Sequence, residues 1–272
     1  MSGVRLDAAL VARGLVRSRA QAKELLDAGR VLVDGKAEAK ASTKVSDTQN
    51  VEIEGDLDHY VGRAAHKLLA AFEAFPGVAT RVAGAHAIDV GASTGGFTQV
   101  LLERGAAHVV ALDVGHGQLA EPVKSDPRVT DLEGVNVRDV VSATQLDGSP
   151  FALVVSDLSF ISLTLALPHM AFLLADDGDL IALIKPQFEV GRERLGRTGV
   201  VTSVEQCRES IDKVLGCACD LGLAVHGLEW SPMVGSHGNH EYLVLLRRAA
   251  VGGALDEASV DQRIRDLTRR SE

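Results

Sequence analysis

Four charged side chains and one glycine-rich turn carry the chemical content of this chain of 272 residues. The turn lies in "DVGASTGGF", Asp89 to Phe97, and its letters admit two chemistries. Gly91, Ser93 and Gly95 spell G-x-S-x-G, the strand-to-helix elbow that presents a serine nucleophile in hydrolases. Asp89, Gly91, Gly95 and Gly96 also spell an acidic residue followed by a glycine-rich turn, the usual cradle of a nucleotide-like cofactor. The charged residues are Lys67 in "GRAAHKLLAAFEAF", Asp157 in "VVSDLSF", Lys185 in "LIKPQFE" and Glu241 in "NHEYLVLL". Two amines and two carboxylates brought into one crevice could take a proton from a hydroxyl and hold the charges around it.

The elements needed to bring them together are written in the hydrophobic pattern. From Ala85 onward, strand-like runs alternate with helix-like stretches, the pattern of a mostly parallel sheet with helices on both faces. "AIDVG", "HVVALDVG", a short run near Val129 to Leu132, "FALVVSDLSF" and "LIALIKPQF" are the first five strands. "LAVHGLEWSP" and "HEYLVLLRR" are two more, joined only by a loop and therefore antiparallel; "LDEASVDQRIRDLTRR" is a terminal helix. In such a doubly wound sheet the ligand crevice lies at the carboxyl ends of the strands. Asp157 and Lys185 end the fourth and fifth strands, and an antiparallel last strand starts at the same edge with Glu241. Lys67 precedes the sheet on an amphipathic helix that Leu68, Phe72 and Phe75 would pack against the core.

This frame selects among the readings of the turn. A nucleophile elbow needs an oxyanion loop from an earlier strand, and no such segment precedes Asp89, although His237 and His240 lie where a triad histidine could sit. A dinucleotide fingerprint would require glycine at Ser93, and Asp89 would repel a pyrophosphate. S-adenosylmethionine is the opposite case: its sulfonium and ammonium are attracted by carboxylates. Seven strands with an antiparallel last one is the arrangement of its methyltransferases, whereas a dinucleotide dehydrogenase usually has six parallel strands. The cradle is then Asp89, Gly91, Ala92, Ser93, Thr94, Gly95, Gly96 and Phe97. Asp113, about twenty residues after the turn, would accept from the ribose hydroxyls, and Asp157 borders the same pocket. Asn136 is either an adenine contact or an ordinary turn residue. Lys185 is either salt-bridge scaffolding or the base that deprotonates the attacking hydroxyl. A sulfonium about 4 Å away would favour the neutral amine by on the order of 4 kcal/mol at an effective dielectric near 20. Lys67 adds to that effect, and Asp157 and Glu241 oppose it.

Composition narrows the partners. The longest apolar runs have strand lengths, far short of a bilayer span, and "MSGVRLDAAL" lacks a signal-peptide layout, so a cytosolic location is expected. Cys207, Cys217 and Cys219 are too few and too bunched for a disulfide framework or a four-ligand zinc site; they read as packing residues, and no metal is expected. The net charge of −9 argues against a uniformly cationic nucleic-acid binder. Met1 to Lys44, however, holds nine Lys and Arg against five Asp and Glu, and Val45 to Asp58 holds five acids and no base.

That basic front section reads as two short helices and a hairpin. A helix around Asp7 to Arg13 ends at Gly14; Ser18 and Gln21 form a capping box for a second, with Ala22, Leu25 and Leu26 on one face and Gly29 as its stop. Val31 and Val33 alternate before the tight turn Asp34-Gly35. Arg19 and Lys23 share a helix face, flanked in sequence by Arg5, Arg17 and Arg30. The cluster suits either an RNA backbone or a solvated helix surface.

The words of the sequence add a resemblance. "RLDAALV" and "RSRAQAKELLDAGRVLVDGK" resemble the S4 RNA-binding domain, which implies binding to structured RNA through Arg5, Arg17, Ser18, Arg19, Lys23 and Arg30 over residues 1–59. A connector at 60–64 would lead to a methyltransferase domain at 65–272. Lys67, Asp157, Lys185 and Glu241 match the K-D-K-E tetrad of the FtsJ-like RNA 2′-O-methyltransferases. With "HKL", "DVGASTGGFTQVLLERGAAHVVALDVGHGQLA", "SDLSFISL", "LIKPQFEVGRE" and "GNHEYLVLL" behind an S4 domain, the chain resembles the TlyA family of hemolysin-like ribosomal RNA methyltransferases. The resemblance implies ribose 2′-O-methylation of cytidines in small- and large-subunit ribosomal RNA, free or in subunits. Gly62, Ala64 and Ala65 depart from the serine and glycine that the family often carries there. Two other classes compete: a membrane-active cytolysin, suggested by the family's hemolysin name, and an RNA-binding factor without catalysis.

Overall fold

The computed structural model describes residues 3–55, 58–140, 146–235 and 238–269. The chain divides into two compact units, Met1–His59 and Tyr60–Glu272.

The first unit runs β1 (Val4–Arg5), α1 (Leu6–Ala12), α2 (Arg19–Asp27), β2 (Val31–Val33), β3 (Lys36–Ala37), β4 (Lys44–Val45) and β5 (Val51–Ile53). Ser18 caps α2 as its spacing predicts, its hydroxyl accepting from the Gln21 amide at 3.2 Å; Gln21 Oε1 in turn accepts from the Arg17 amide at 2.9 Å. Asp34 and Gly35 take φ of 50° and 76°, closing the β2–β3 hairpin. β5 pairs antiparallel with β2, and Leu6, Leu10, Leu26 and Val31 form a small core of their own. The β1–β4 pair was not foreseen, since two-residue strands show no alternation.

The second unit comprises α3 (Ala65–Ala74), α4 (Pro76–Ala79), β6 (His86–Val90), α5 (Gly96–Glu103), β7 (His108–Asp113), α6 (Glu121–Lys124), β8 (Val129–Glu133), β9 (Phe151–Ser156), α7 (Leu163–Leu173), β10 (Leu174–Ile184), α8 (Pro186–Glu189), α9 (Val204–Asp220), β11 (Leu223–Trp230), β12 (Tyr242–Arg248) and α10 (Glu257–Arg269). The expected end of α10 at Arg270 lies outside the described residues, as does His237. Seven strands form one sheet in the order β11-β12-β10-β9-β6-β7-β8, parallel except for β12, which is antiparallel to both neighbours. Alternation along the strands divides the core. Ile88, Val110 and Val154 face α7, α9 and α10, while Ala87, Val109, Leu153 and Leu243 face α3 and α5. Both faces are therefore apolar, which is why these strands read as continuous hydrophobic runs. The segment 60–64 also packs on this unit: Tyr60, Val61 and Ala64 lie against the α3–α5 side, and the Val61 amide donates to Gln99 Oε1 at 2.7 Å.

Candidate active site

Register brings the four charged residues to one edge. Ser156 is level with Val90 and Ala182, and Ile184 pairs with Tyr242. Asp157 and Lys185 thus leave parallel strands at the edge where Glu241 leads into the antiparallel one, and α3 lays Lys67 over them. The four side chains close into a ring. Lys67 Nζ lies 2.9 Å from Asp157 Oδ2 and 2.7 Å from Glu241 Oε2; Lys185 Nζ lies 2.7 Å from Asp157 Oδ1, 4.0 Å from Glu241 Oε1 and donates to Ser159 Oγ at 3.0 Å. Lys67, Lys185 and Glu241 are buried. Burial disfavours the charge on Lys67, but Asp157 and Glu241 outweigh it and hold the ammonium above the ordinary lysine range. Burial likewise opposes ionisation of Asp157, and Lys185 and Lys67 overcome it, keeping the carboxyl below the usual range. Removing one member of such a buried network would leave an uncompensated charge, at a cost of about 3–5 kcal/mol.

The ring lies at a cavity of about 650 Å³. Phe160 lines it, 91% exposed, with φ of 65°, a conformation that a bulky residue adopts at a cost; its ring lies 5.4 Å from that of Phe188. The loop that carries Ser159 and Phe160 is pinned by Glu189, a buried carboxylate on α8. Its oxygens accept from Ser162 Oγ at 2.5 Å and from the Leu163 amide at 2.6 Å, and Lys213 Nζ neutralises it at 3.2 Å.

The glycine turn adjoins the ring but does not line this cavity. A Cβ on Gly91 would come within 3.0 Å of Leu158, the residue after Asp157. Gly95 has φ of 91°, and a Cβ there would stand 2.8 Å from Leu119; one on Gly96 would stand 3.0 Å from the Ala65 backbone nitrogen. These two glycines are required by backbone conformation and by close packing of the turn on its neighbours. Ala92 and Phe97 are buried in the core behind the turn; Ser93 and Thr94 are exposed on it. Asp113 holds the turn's shape, its carboxylate accepting from the Ser93 amide and the Gly115 amide, both at 2.7 Å. Asn136 caps the turn Val137–Asp139 through the Arg138 amide at 3.1 Å. The structure thus gives Asn136 a turn role of its own. Asp89 is buried; Oδ2 accepts from the Thr98 amide at 3.0 Å and hydroxyl at 2.8 Å, while Oδ1 accepts from none of the described residues. Burial foremost, with the fields of Asp157 and Asp113, lifts its pKa to about 7 despite the Thr98 hydrogen bonds. Asp157 and Asp113 thus oppose ionisation of Asp89, and a cationic ligand beside it would offset that opposition.

In the first unit, Arg5, Arg17, Ser18, Arg19 and Lys23 are exposed and Arg30 is partly buried. Arg5 pairs with Asp7 at 3.0 Å, Lys23 with Asp27, Arg17 donates to the His59 carbonyl at 3.0 Å and Arg30 to the Glu54 carbonyl at 2.7 Å. Sequence reasoning missed Phe160, Ser159 and Glu189, because the strained turn and the pinning contacts are tertiary. It also missed the arginines of "GRERLGR", whose basic run after "KPQFEV" was the available signal.

Comparison with known proteins gives this geometry a lineage. The family profile for FtsJ-like methyltransferases matches residues 60–248, and that for the S4 domain matches residues 4–51. The chain is 47% identical over 259 residues to the 16S/23S rRNA (cytidine-2′-O)-methyltransferase TlyA of Mycobacterium tuberculosis, covering 93% of this chain and 95% of that one. It is 36% identical to Hemolysin A of Brachyspira hyodysenteriae, over 88% of this chain and 98% of that one. A solved structure named as a hemolysin, from Streptococcus thermophilus, superposes with a TM-score of 0.76 at 34% identity, covering 100% of this chain and 96% of that one. The chain belongs to the FtsJ-like methyltransferases, within the S4-bearing TlyA family.

Proposed function

We propose that this protein is a cytosolic ribosomal RNA methyltransferase that uses S-adenosylmethionine to methylate the ribose 2′-oxygen of cytidines in small- and large-subunit RNA. The observation that carries the reading is the closed ring of Lys67, Asp157, Lys185 and Glu241 beside an acidic glycine turn. The names of the relatives support the substrate class, and the S4 domain supports RNA as the partner.

The residues at the turn fit the cofactor. Asp89 Oδ1, which accepts from none of the described residues, and the fields of Asp157 and Asp113 on that carboxyl favour a cation. Asp113 retains acceptor capacity for ribose hydroxyls beyond its two amides. When bound, S-adenosylmethionine supplies an electrophilic methyl on a positively charged sulfur. The chain's own residues handle the other half of the exchange. Lys185 Nζ, oriented by Asp157 and Ser159, takes the proton from the 2′-hydroxyl as that oxygen becomes bonded to carbon. Lys67 stays charged between Asp157 and Glu241 and keeps both carboxylates from competing for that proton. Phe160 offers an exposed aromatic face on which a base can stack.

Transfer of labelled methyl to unmodified ribosomal subunits tests this, with primer extension locating the blocked ribose. Lys185→Ala should lower transfer by about 100-fold or more while cofactor binding persists by calorimetry. Undiminished transfer by Lys185→Ala, or no transfer by the wild type, refutes the assignment. Relatives are named hemolysins, so liposome leakage belongs beside that assay; among the described residues no helix is long and apolar enough to cross a membrane.

A further inference from the structure

We propose that Arg192 and Arg197, on the loop after α8, form a phosphate-binding wall that grips the RNA backbone beside the nucleotide being methylated. The inference rests on the reading of the cavity as the acceptor site.

Five cationic side chains line the cavity, Lys67, Lys185, Arg63, Arg192 and Arg197, against two carboxylates, Asp157 and Glu241. The tetrad within that set sums to zero, so Arg192 and Arg197 add positive charge to the cavity wall. This runs against a chain whose net charge is −9. A surplus of that sign beside an acidic protein body is a local feature, and anions are what it attracts.

The loop is anchored at two points. Leu195 packs against the core on the α9 side. Buried Asn239 ties down its far end, accepting from the Val201 amide at 2.9 Å and donating to the Gly199 carbonyl at 2.9 Å. Three arginines sit on this loop, and they are not equivalent. Arg194 is turned to Glu209 at 2.5 Å, whereas Arg192 and Arg197 line the cavity. A guanidinium presents a planar fork that matches phosphate oxygens in pairs. A ribose 2′-oxygen adjoins the phosphate on its own 3′ side, so a substrate with that oxygen at Lys185 carries a phosphodiester into the same cavity.

The test uses the full chain and an unmodified transcript of small-subunit ribosomal RNA. Its affinity is measured by filter binding across salt concentrations, a readout that needs no turnover. The double substitution Arg192→Gln, Arg197→Gln should flatten the slope of log affinity against log salt by about 1.5, two phosphates at roughly 0.7 to 0.9 each. It should raise the KM for RNA about tenfold or more, with unchanged cofactor affinity. Arg194→Gln should leave the slope as it is. A wild-type slope and KM in the double variant, or an equal flattening by Arg194→Gln, overturns the proposal. Absence of methyl transfer by the wild type would instead strike the functional reading, and the binding slopes would still separate the arginines.

Discussion

Asp89→Asn isolates the electrostatic state of the glycine turn. Burial foremost pushes the native carboxyl from its ordinary 3.8 up to about 7, which corresponds to about 4 kcal/mol. Below pH 3.8 the group is protonated in both folded and unfolded chains. Between there and pH 7 the unfolded chain has lost the proton and the folded one keeps it. Stability from this site therefore falls by about 1.4 kcal/mol per pH unit as pH rises, and the loss is complete above the folded value. Asparagine resembles the protonated acid: its oxygen can keep both Thr98 contacts, and any cost of placing an NH₂ at Oδ1 does not vary with pH. Wild-type stability minus that of Asp89→Asn should thus fall by roughly 3 kcal/mol between pH 5 and pH 8. Urea unfolding followed by fluorescence measures it, since the one tryptophan, Trp230, lies in β11 of the unit concerned. A difference that stays flat over that range would refute the assignment of a raised pKa to Asp89. The same pair of proteins should differ in calorimetry: wild-type affinity for S-adenosylmethionine should rise with pH through 7, and the asparagine variant's should not.

Gly95→Ala should destabilise the second unit by about 2–3 kcal/mol and weaken cofactor binding, because φ of 91° and a Cβ 2.8 Å from Leu119 must both be accommodated; urea unfolding and calorimetry check it. Phe160→Gly should do the reverse to stability. Releasing φ of 65° at a 91% exposed residue should leave it unchanged or raise it by about 1 kcal/mol, while kcat/KM on subunits falls; a lower melting temperature with intact kcat/KM would contradict that role. For Lys67→Met the expectation is a loss of about 3–5 kcal/mol, read from urea midpoints, since Asp157 and Glu241 lose their shared partner.

The strand runs from Ala87 to Leu246 were readable because both sheet faces are covered and each strand stays apolar throughout. Tight turns such as Asp34-Gly35 and the cap at Ser18 were readable because their chemistry is local. The four-residue helices α4, α6 and α8 and the two-residue pair β1–β4 left no periodic trace. The spread of the tetrad along the chain, from Lys67 to Glu241, shows where local reading ends. Residue types and strand ends nominated its members, but the ion-pair ring exists because register levels Ser156, Ala182 and Tyr242 at one edge.

Sequence alone determined the order of the seven sheet strands and the longer helices, the acidic glycine turn and the set of charged residues, since these depend on spacing and on the intrinsic behaviour of each residue type. Tertiary structure decided that Asp113 reaches back twenty residues to the Ser93 amide, that Glu189 pins the loop of Phe160, and which arginines of one loop line the cavity. Those outcomes depend on which distant groups a side chain meets once the sheet has closed, and no neighbouring residue encodes that meeting.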